Sequence, residues 1–485
     1  MLTAMRLSEI ASLVGSEGHL SADPEITDLH YDSREAIPGS LFFCIPGDKV
    51  DRHDLAKQAV SSGAAALVAE RDTGVLVPHL ITSDIRGVMN QVAAPFFGHP
   101  SREIKLVGVT GTNGKTTTTY MVESIARASG EKTGLVGTIE RRVADSAQPA
   151  PIGTPESSDL QRLFRAMARA SVATCALEVT SIGISQGRIE GCDFDVAVFT
   201  NLSHDHLEFH GSMEEYYEAK RKLFLAERTP LSLINIDDPW GRRLTGEVTS
   251  KVLTYAVERD ADLVAKSIRP IPGGTKFLAV GMGMRLELEV LLPARFNVLN
   301  AIAAAGAARA IGLPEGAIQS GLSSLPGVPG RFERVDEGQD FMVVVDYAHT
   351  PDGLDNVLRF AREICLGELR VVFGCGGDRD SGKRPEMGRV AASVADRVYV
   401  TSDNPRSEDP SQIIDQILTG IIKGPPPGGY VAISDRAEAI HAAISESQSG
   451  DVVVIAGKGH ETGQEFADTK IPFDDREVAR AALQR

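Results

Sequence analysis

Gly108-Val-Thr-Gly-Thr-Asn-Gly-Lys-Thr116 joins the apolar run Ile104-Lys-Leu-Val-Gly-Val109 to a helical pattern running from about Thr116 to Ser129. Strand, Gly-rich turn and helix in that order make a phosphate loop. Glycines let backbone N–H groups converge on phosphate oxygens, Lys115 adds a point charge for the terminal phosphates, and the Thr116 hydroxyl can hold magnesium. The helix N-terminus contributes its own partial positive charge. The strict G-x-x-x-x-G-K-[ST] pattern asks for glycine where Val109 stands, so this is a variant loop. The bland alternative is a Gly-rich turn; strand, helix, lysine and hydroxyl in register argue against it. The loop establishes nucleotide binding and leaves the reaction open.

Outward from the loop, short apolar runs alternate with helical patterns, which predicts an α/β fold with mainly parallel sheets. At 485 residues, with roughly 100–200 residues per domain, about three domains are expected. A small N-terminal domain, residues 1–102, contains the strand-like Gly39 to Gly47 and the helix–strand unit Gly63 to Glu70, and Phe96 to Arg102 reads as a linker. The central domain, 103–330, carries the P-loop and adds strands at Ala173 to Val179 and Val196 to Asn201, with a helix from Phe296 to Ile311. Leu325-Pro-Gly-Val-Pro-Gly330 marks the next boundary. A third, Rossmann-like domain, 331–485, places buried strands at Phe341 to Val345, Leu369 to Phe373, Arg397 to Thr401 and Val452 to Ala456. The loops after such strands lie at the ligand-binding edge.

Charged residues make up 24% of the chain and hydrophobic ones 42%, the balance of a globular protein. A formal charge of −16 without a long Lys/Arg run argues against nucleic acid as a partner. The five cysteines, Cys44, Cys175, Cys192, Cys365 and Cys375, form no C-x-x-C pair and read as reduced, mostly buried thiols rather than a disulfide framework or zinc site. No signal-like N-terminus and no run of roughly 20 apolar residues suggests export or a membrane span. The cytoplasm is the expected compartment, with small molecules as partners and a monomer as the expected state.

Further along, Glu178-Val-Thr-Ser181, Thr200-Asn-Leu-Ser-His-Asp-His-Leu207, Tyr217-Glu-Ala-Lys-Arg-Lys-Leu-Phe224, Asn235-Ile-Asp-Asp238, Phe296-Asn-Val-Leu-Asn300, Gly330-Arg-Phe-Glu333 and Asp346-Tyr-Ala-His-Thr-Pro351 follow one another. In that order they resemble the Mur ligases of peptidoglycan synthesis, whose ATP loop is Gly-Thr-Asn-Gly-Lys-Thr. The resemblance spans the chain, from Tyr31-Asp-Ser-Arg34 to Gly457-Lys-Gly-His-Glu461. It implies a uridine-nucleotide domain, a central ATPase and an amino-acid domain, and a carboxylate activated by ATP as an acyl phosphate before an amine attacks it. Among its members the chain looks most like those that add meso-diaminopimelate to UDP-MurNAc-L-Ala-D-Glu.

The resemblance implies roles residue by residue. Gly111, Thr112, Asn113, Gly114, Lys115, Thr116, Thr117, Asn297, Arg331 and Asp346 would surround ATP, with His349 assisting. Thr116 and Glu178 would bind Mg²⁺ as hard oxygen donors, and His206 a second metal or the substrate; His204 and Asp205 share its loop. Lys220 would carry a CO₂-derived carbamate, which turns a repelling ammonium into an anionic ligand. From residues alone, a lysine in the helical stretch Met213 to Leu225 is usually solvated and Lys222 competes; only the register of the resemblance selects Lys220. Tyr31, Ser33, Asp48, Lys49, Val50, Gly153, Thr154, Pro155, Ser181, Gln186 and Arg188 would hold the nucleotide-linked dipeptide. Arg384, Asp403, Asn404, Pro405, Arg406, Gly457 and Glu461 would form the amino-acid pocket, where Arg406 can pair with the second carboxylate of diaminopimelate, a group lysine lacks.

Four positions depart from the usual pattern: Gly153 for a threonine, Ile182 for a histidine, Arg52 within Asp51-Arg-His53 for a glycine, and Ala294 for a glycine. Three other readings stay open. They are an L-lysine-adding relative, a folylpolyglutamate-type ligase and a non-catalytic nucleotide-binding regulator; the substrate domain ahead of the loop argues against the second.

Overall fold

A computed structural model describes residues 4–15, 21–47, 50–150, 152–467 and 469–484. Three sheets organise the chain. In the N-terminal part, Asp28–His30, Ser40–Phe43, Ala66–Ala69 and His79–Ile81 pair in parallel in that order. The helix Ile85–Phe96, which Asp84 caps by accepting from the Gly87 N–H, buries Val88, Met89, Val92 and Phe96 in the core of this part.

The central sheet has eleven strands. Its parallel heart places Thr174–Glu178, Lys105–Thr110 and Val196–Phe199 side by side, with Leu231–Asn235 and Lys251–Ala256 beyond. These strands are almost continuously apolar because both faces are covered. On one face lies the helix Arg295–Ala310, whose alanines let it pack closely on the sheet and on the phosphate-loop helix Lys115–Ala128. The third sheet runs Glu333–Val335, Met342–Asp346, Val452–Ala456, Leu369–Phe373, Arg397–Val400 and Tyr430–Ala432, parallel except at its first, antiparallel edge. Its chain order doubles back, so the loops after its central strands gather at one rim. The α/β class with mainly parallel sheets is therefore as expected.

Phe96 to Arg102, the stretch read as a linker, is well tied down: Phe96 ends a helix, Pro100–Glu103 forms a 3₁₀ turn, and Arg165 donates to the Phe97 and Gly98 carbonyls. The central sheet continues beyond its parallel strands, where Leu263–Ile271, Gly274–Gly281 and Met284–Val290 extend it as an antiparallel meander that the sequence reading did not include. The alternating Met284-Arg-Leu-Glu-Leu-Glu-Val290, with its apolar residues buried and Arg285 and Glu287 exposed, is the period-2 signal that reveals such a strand. All five cysteines are free thiols, and among the described residues no helix is long and apolar enough to cross a membrane.

Ala294 caps the helix Arg295–Ala310 at φ 91° and ψ 143°, backbone space that only glycine enters without strain. Ala294→Gly is expected to raise the free energy of urea unfolding by about 1 kcal/mol: strain of roughly 1–3 kcal/mol is relieved, less about 0.5–1 kcal/mol for glycine's freer unfolded chain. An unchanged or lower stability would show this backbone to be unstrained.

Candidate functional site

The phosphate loop is held open from below. Thr112 N–H donates to the Asn201 carbonyl (2.9 Å), Asn113 N–H to Asn201 Oδ1 (2.8 Å), and Thr200 Oγ1 to the Asn113 carbonyl (2.6 Å). Gly111 and Gly114 have positive φ, and a Cβ on them would lie 1.8 Å from Thr200 Oγ1 and 2.4 Å from Asn300 Oδ1. No other residue fits there without displacing the scaffold. Lys115 folds back, donating to the carbonyls of Gly111 (3.0 Å) and Thr112 (2.9 Å).

Lys220, 1% exposed at the end of the helix Met213–Arg221, reaches the same Gly111 carbonyl at 2.9 Å, with its Nζ 4.6 Å from the Tyr216 ring centre. Lys222 is exposed in the following 3₁₀ turn. Burial, and then the charge of Lys115, push Lys220 well below the ordinary lysine range; burial also lowers Lys115, against the pull of Glu178 and Asp205. Glu178, fully buried at its strand end, accepts from Thr138 N–H (3.0 Å) and Thr138 Oγ1 (2.7 Å). Thr154 Oγ1 donates to the Glu178 carbonyl (2.8 Å) and so braces that end.

Residues of the third domain meet this loop at Asn113 and Thr116, and the neighbouring segment at Ser203, His204 and Asp205. Arg331 donates to Thr116 Oγ1 (2.9 Å), its guanidinium lying 4.5 Å from the Tyr347 ring centre. Asn113 Nδ2 donates to Asp352 Oδ2 (2.8 Å) in the first turn of Pro351–Ile364. His204 Nε2 meets Asp380 Oδ2 at 2.5 Å. Asp205, nearly buried, faces His206 Nε2 (3.4 Å), His349 Nε2 (3.7 Å) and Lys383 Nζ (3.6 Å). Burial alone would raise its carboxyl, but His349, His206 and Lys383 outweigh it and hold Asp205 well below the carboxylate range. Asp346 is fixed by the N–H groups of Phe332 (2.6 Å) and Ala348 (2.7 Å), and burial raises it. Asn297 donates to the Pro293 carbonyl (2.7 Å).

At the far rim, Asn404 Nδ2 donates to Glu461 Oε2 (2.9 Å), and buried Lys458 donates to both Asn404 Oδ1 (2.9 Å) and Glu461 Oε2 (2.8 Å). Gly457 lies against Asp403, where a Cβ would be 2.6 Å from Asp403 Oδ2. Arg406, with φ 51°, donates through Nη1 to the Gly377 carbonyl (2.7 Å) and sets Nε 3.3 Å from Glu465. The Pro405 carbonyl packs on Gly377. Arg384 is fully buried and donates to Glu408, Gln416 and the Gly376 carbonyl.

On the N-terminal side Tyr31 donates to Asp159 Oδ2 (2.7 Å), with Arg52 over its ring, and Ser33 donates to Gln58 (3.0 Å). Val50 is exposed; Asp48 and Lys49 lie outside the described residues. Arg188 donates to the Thr154 carbonyl (2.8 Å) and, with Arg86 of the first domain, grips Glu156 beside Pro155. Gly153 sits near Thr138 and Thr180, and half-buried Ile182 follows Ser181. Ser181 Oγ meets His210 Nε2 (2.9 Å), and the Gln186 carbonyl accepts from Asn90 (2.9 Å). Residue reading missed Glu156, His210, Asp352 and Lys458. Thr350-Pro-Asp352 at least carries a helix-start signal, an N-cap followed by proline and an acid.

Thr116 and Glu178 offer hard oxygens suited to Mg²⁺. Lys220 suits that ion only as an anion, and among the described residues no three His, Cys, Asp or Glu side chains converge to hold a metal.

Three family descriptions match the chain: the Mur ligase family catalytic domain over 25–96, the Mur ligase middle domain over 109–308, and the Mur ligase glutamate ligase domain over 330–459. It is 47% identical to the UDP-N-acetylmuramoyl-L-alanyl-D-glutamate–2,6-diaminopimelate ligase of Geobacillus thermodenitrificans, over 99% of both chains. To the protein of the same name from Streptomyces coelicolor it is 43% identical, over 100% of this chain and 97% of that one. A solved structure with that name superposes with a TM-score of 0.68 at 32% identity, covering 99% of each chain.

Asp205→Ala would leave buried Lys383 without its carboxylate partner, a loss of about 3 kcal/mol. The expected result is a lower unfolding midpoint with a larger radius of gyration by X-ray scattering. Unchanged values of both would remove Asp205 from the domain interface.

Proposed function

Because the chain belongs to the Mur ligase family, we propose that it joins meso-2,6-diaminopimelate to the D-glutamyl carboxylate of UDP-MurNAc-L-Ala-D-Glu, using ATP, in cytoplasmic peptidoglycan precursor synthesis. The observation that carries this reading is identity of 47% over 99% of the chain with a ligase of that name. Residues 1–102 are assigned to the uridine nucleotide, 103–330 to ATP and 331–485 to the incoming amino acid.

The chemistry follows from the charges. A carboxylate oxygen attacks the γ-phosphorus of ATP, ADP departs, and an acyl phosphate remains. The diaminopimelate amine then adds to the acyl carbon, phosphate leaves, and the amine gives up a proton as the amide forms. Both steps gather negative oxygens, so fixed cations and oriented dipoles do most of the catalysis. Lys115 and the loop N–H groups hold the phosphates. Arg331, arriving from the third domain onto Thr116, adds a positive charge when that domain docks. Thr154, Ser181 and Arg188 orient the dipeptide end. Arg188 is held by Glu156 at 3.0 Å, a carboxylate standing where a substrate anion would compete.

Thr116 and Glu178 would hold Mg²⁺, with a carbamate on Lys220 and His206 as the further ligands or as holders of a second ion, and the metal would supply positive charge to the phosphates. The lysine geometry supports the carbamate: two buried ammonium groups on one carbonyl oxygen repel, and the neutral amine that burial favours is the form that adds CO₂. At the other rim Asp403, Asn404, Gly457 and Glu461 fit the amino-acid backbone groups, and Arg406 the distal carboxylate.

Purified protein with the dipeptide nucleotide, ATP and Mg²⁺ is expected to release phosphate with meso-diaminopimelate and not with L-lysine, with the tripeptide product identified by mass. Turnover with lysine alone would move the protein to the lysine-adding relatives, and none with either would favour the regulator. Arg406→Ala is expected to raise the diaminopimelate KM at least about ten-fold, the loss of one charged contact, and to leave the ATP KM unchanged; an unchanged diaminopimelate KM would take Arg406 out of the pocket. Lys220→Ala is expected to abolish turnover where Lys222→Ala does not, and equal activities would refute the role of Lys220.

A further inference from the structure

Asp403-Asn-Pro-Arg406 and Gly457-Lys-Gly-His-Glu461 follow two strands, Arg397–Val400 and Val452–Ala456, that are not neighbours: Leu369–Phe373 runs between them. The two strands share no ladder with each other, and the backbone bridge that links the loops, Arg406 to Phe466, lies at the outer end of the first wall of the pocket and beyond the second. Arg436 spans the gap. Its Nη1 donates to the carbonyl of Ser402 (3.3 Å) and its Nη2 to that of Ala456 (2.9 Å), the residues immediately before each wall. Its orientation is fixed by a two-point pair with Asp475, Nε to Oδ1 and Nη2 to Oδ2, both at 2.7 Å. Both side chains are 0% exposed.

Each partner begins a capped helix. Asp435 accepts from Glu438 N–H at the head of Arg436–Ser445, and Asp474 accepts from Arg476 N–H at the head of Asp475–Leu483. The clamp is thereby anchored to two helices outside the pocket. The polar contacts inside the pocket, Asn404 to Glu461 and Lys458 to both, can be rearranged by a ligand; the Arg436 fork, sealed from water, cannot. A buried ion pair adds little stability over an apolar pair of similar size, so its carbonyl contacts are what an apolar pair would lose.

We propose that Arg436, held by Asp475, is the positioning residue that sets the separation of the two walls and thereby tunes recognition of the incoming amino acid. This rests on the assignment of the pocket made above. The test uses the full chain carrying the pair Arg436→Met with Asp475→Leu, which removes both charges together, and separately Arg436→Lys, which keeps the pair but not the fork. Hydrogen exchange of ligand-free protein is read over 402–406, 457–461 and, as a control, 108–118.

In the paired variant both walls should exchange at least about ten-fold faster while the phosphate loop is unchanged. The diaminopimelate KM should rise about ten-fold, with kcat and the ATP KM within about two-fold. Arg436→Lys should fall between the paired variant and the natural protein. Unchanged exchange of the walls, or faster exchange with an unchanged diaminopimelate KM, overturns the proposal; should the paired variant not fold, the same readings on Arg436→Lys decide. A natural protein that turns over no diaminopimelate sinks the assignment of the pocket, while the exchange comparison still decides the clamp.

Discussion

Two lysine side chains, Lys115 and Lys220, converge on one oxygen, the carbonyl of Gly111, from 3.0 and 2.9 Å. Two ammonium charges so placed stand no more than about 6 Å apart and repel by about 3 kcal/mol at an effective dielectric near 20. Burial lowers both groups, Lys220 the further. The rest of the site can be understood as a response to that crowding. Glu178 and Asp205 supply opposite charge, Thr138 and Thr154 brace Glu178, and a nucleotide's phosphates are the anion the loop is shaped to receive. An apolar interior makes such charges expensive alone and strong together.

The site is also shared between parts of the chain. Arg331, His349, Asp352, Asp380 and Lys383 all belong to the third part of the chain, yet each meets the phosphate loop or the Ser203–His206 segment. The site thus draws its residues from both parts of the chain, with Asp205 and Lys383 buried where they meet. At the outer rim the logic is different: the pocket walls are tied by polar contacts above and by a sealed ion pair beneath.

Much of this was legible in the residues because strand, loop and helix signals coincide at Lys115, and because ordered motifs placed Glu178, Lys220 and Asp403 to Arg406. What was not legible depends on burial and distance. Lys220 and Lys222 are equivalent in a sequence; only packing sends one under Gly111 and the other to solvent. Arg384 reads as a ligand arm, and nothing local reveals its burial against Glu408 and Gln416. Arg436 and Asp475 lie 39 positions apart in ordinary helix-start contexts, and nothing local reveals that they pair beneath two loops. The antiparallel meander is marked locally only by the alternation at 284–290, a weaker signal than the continuous apolar runs of the parallel strands.

The central claim, that this site serves transfer of a phosphoryl group to a carboxylate, is tested most directly with substrate carrying ¹⁸O in its D-glutamyl carboxylate. An acyl phosphate predicts one ¹⁸O in each inorganic phosphate released as the amide forms. Phosphate free of label, with tripeptide still formed, would contradict the account and require the carboxylate to be activated without bonding to phosphorus.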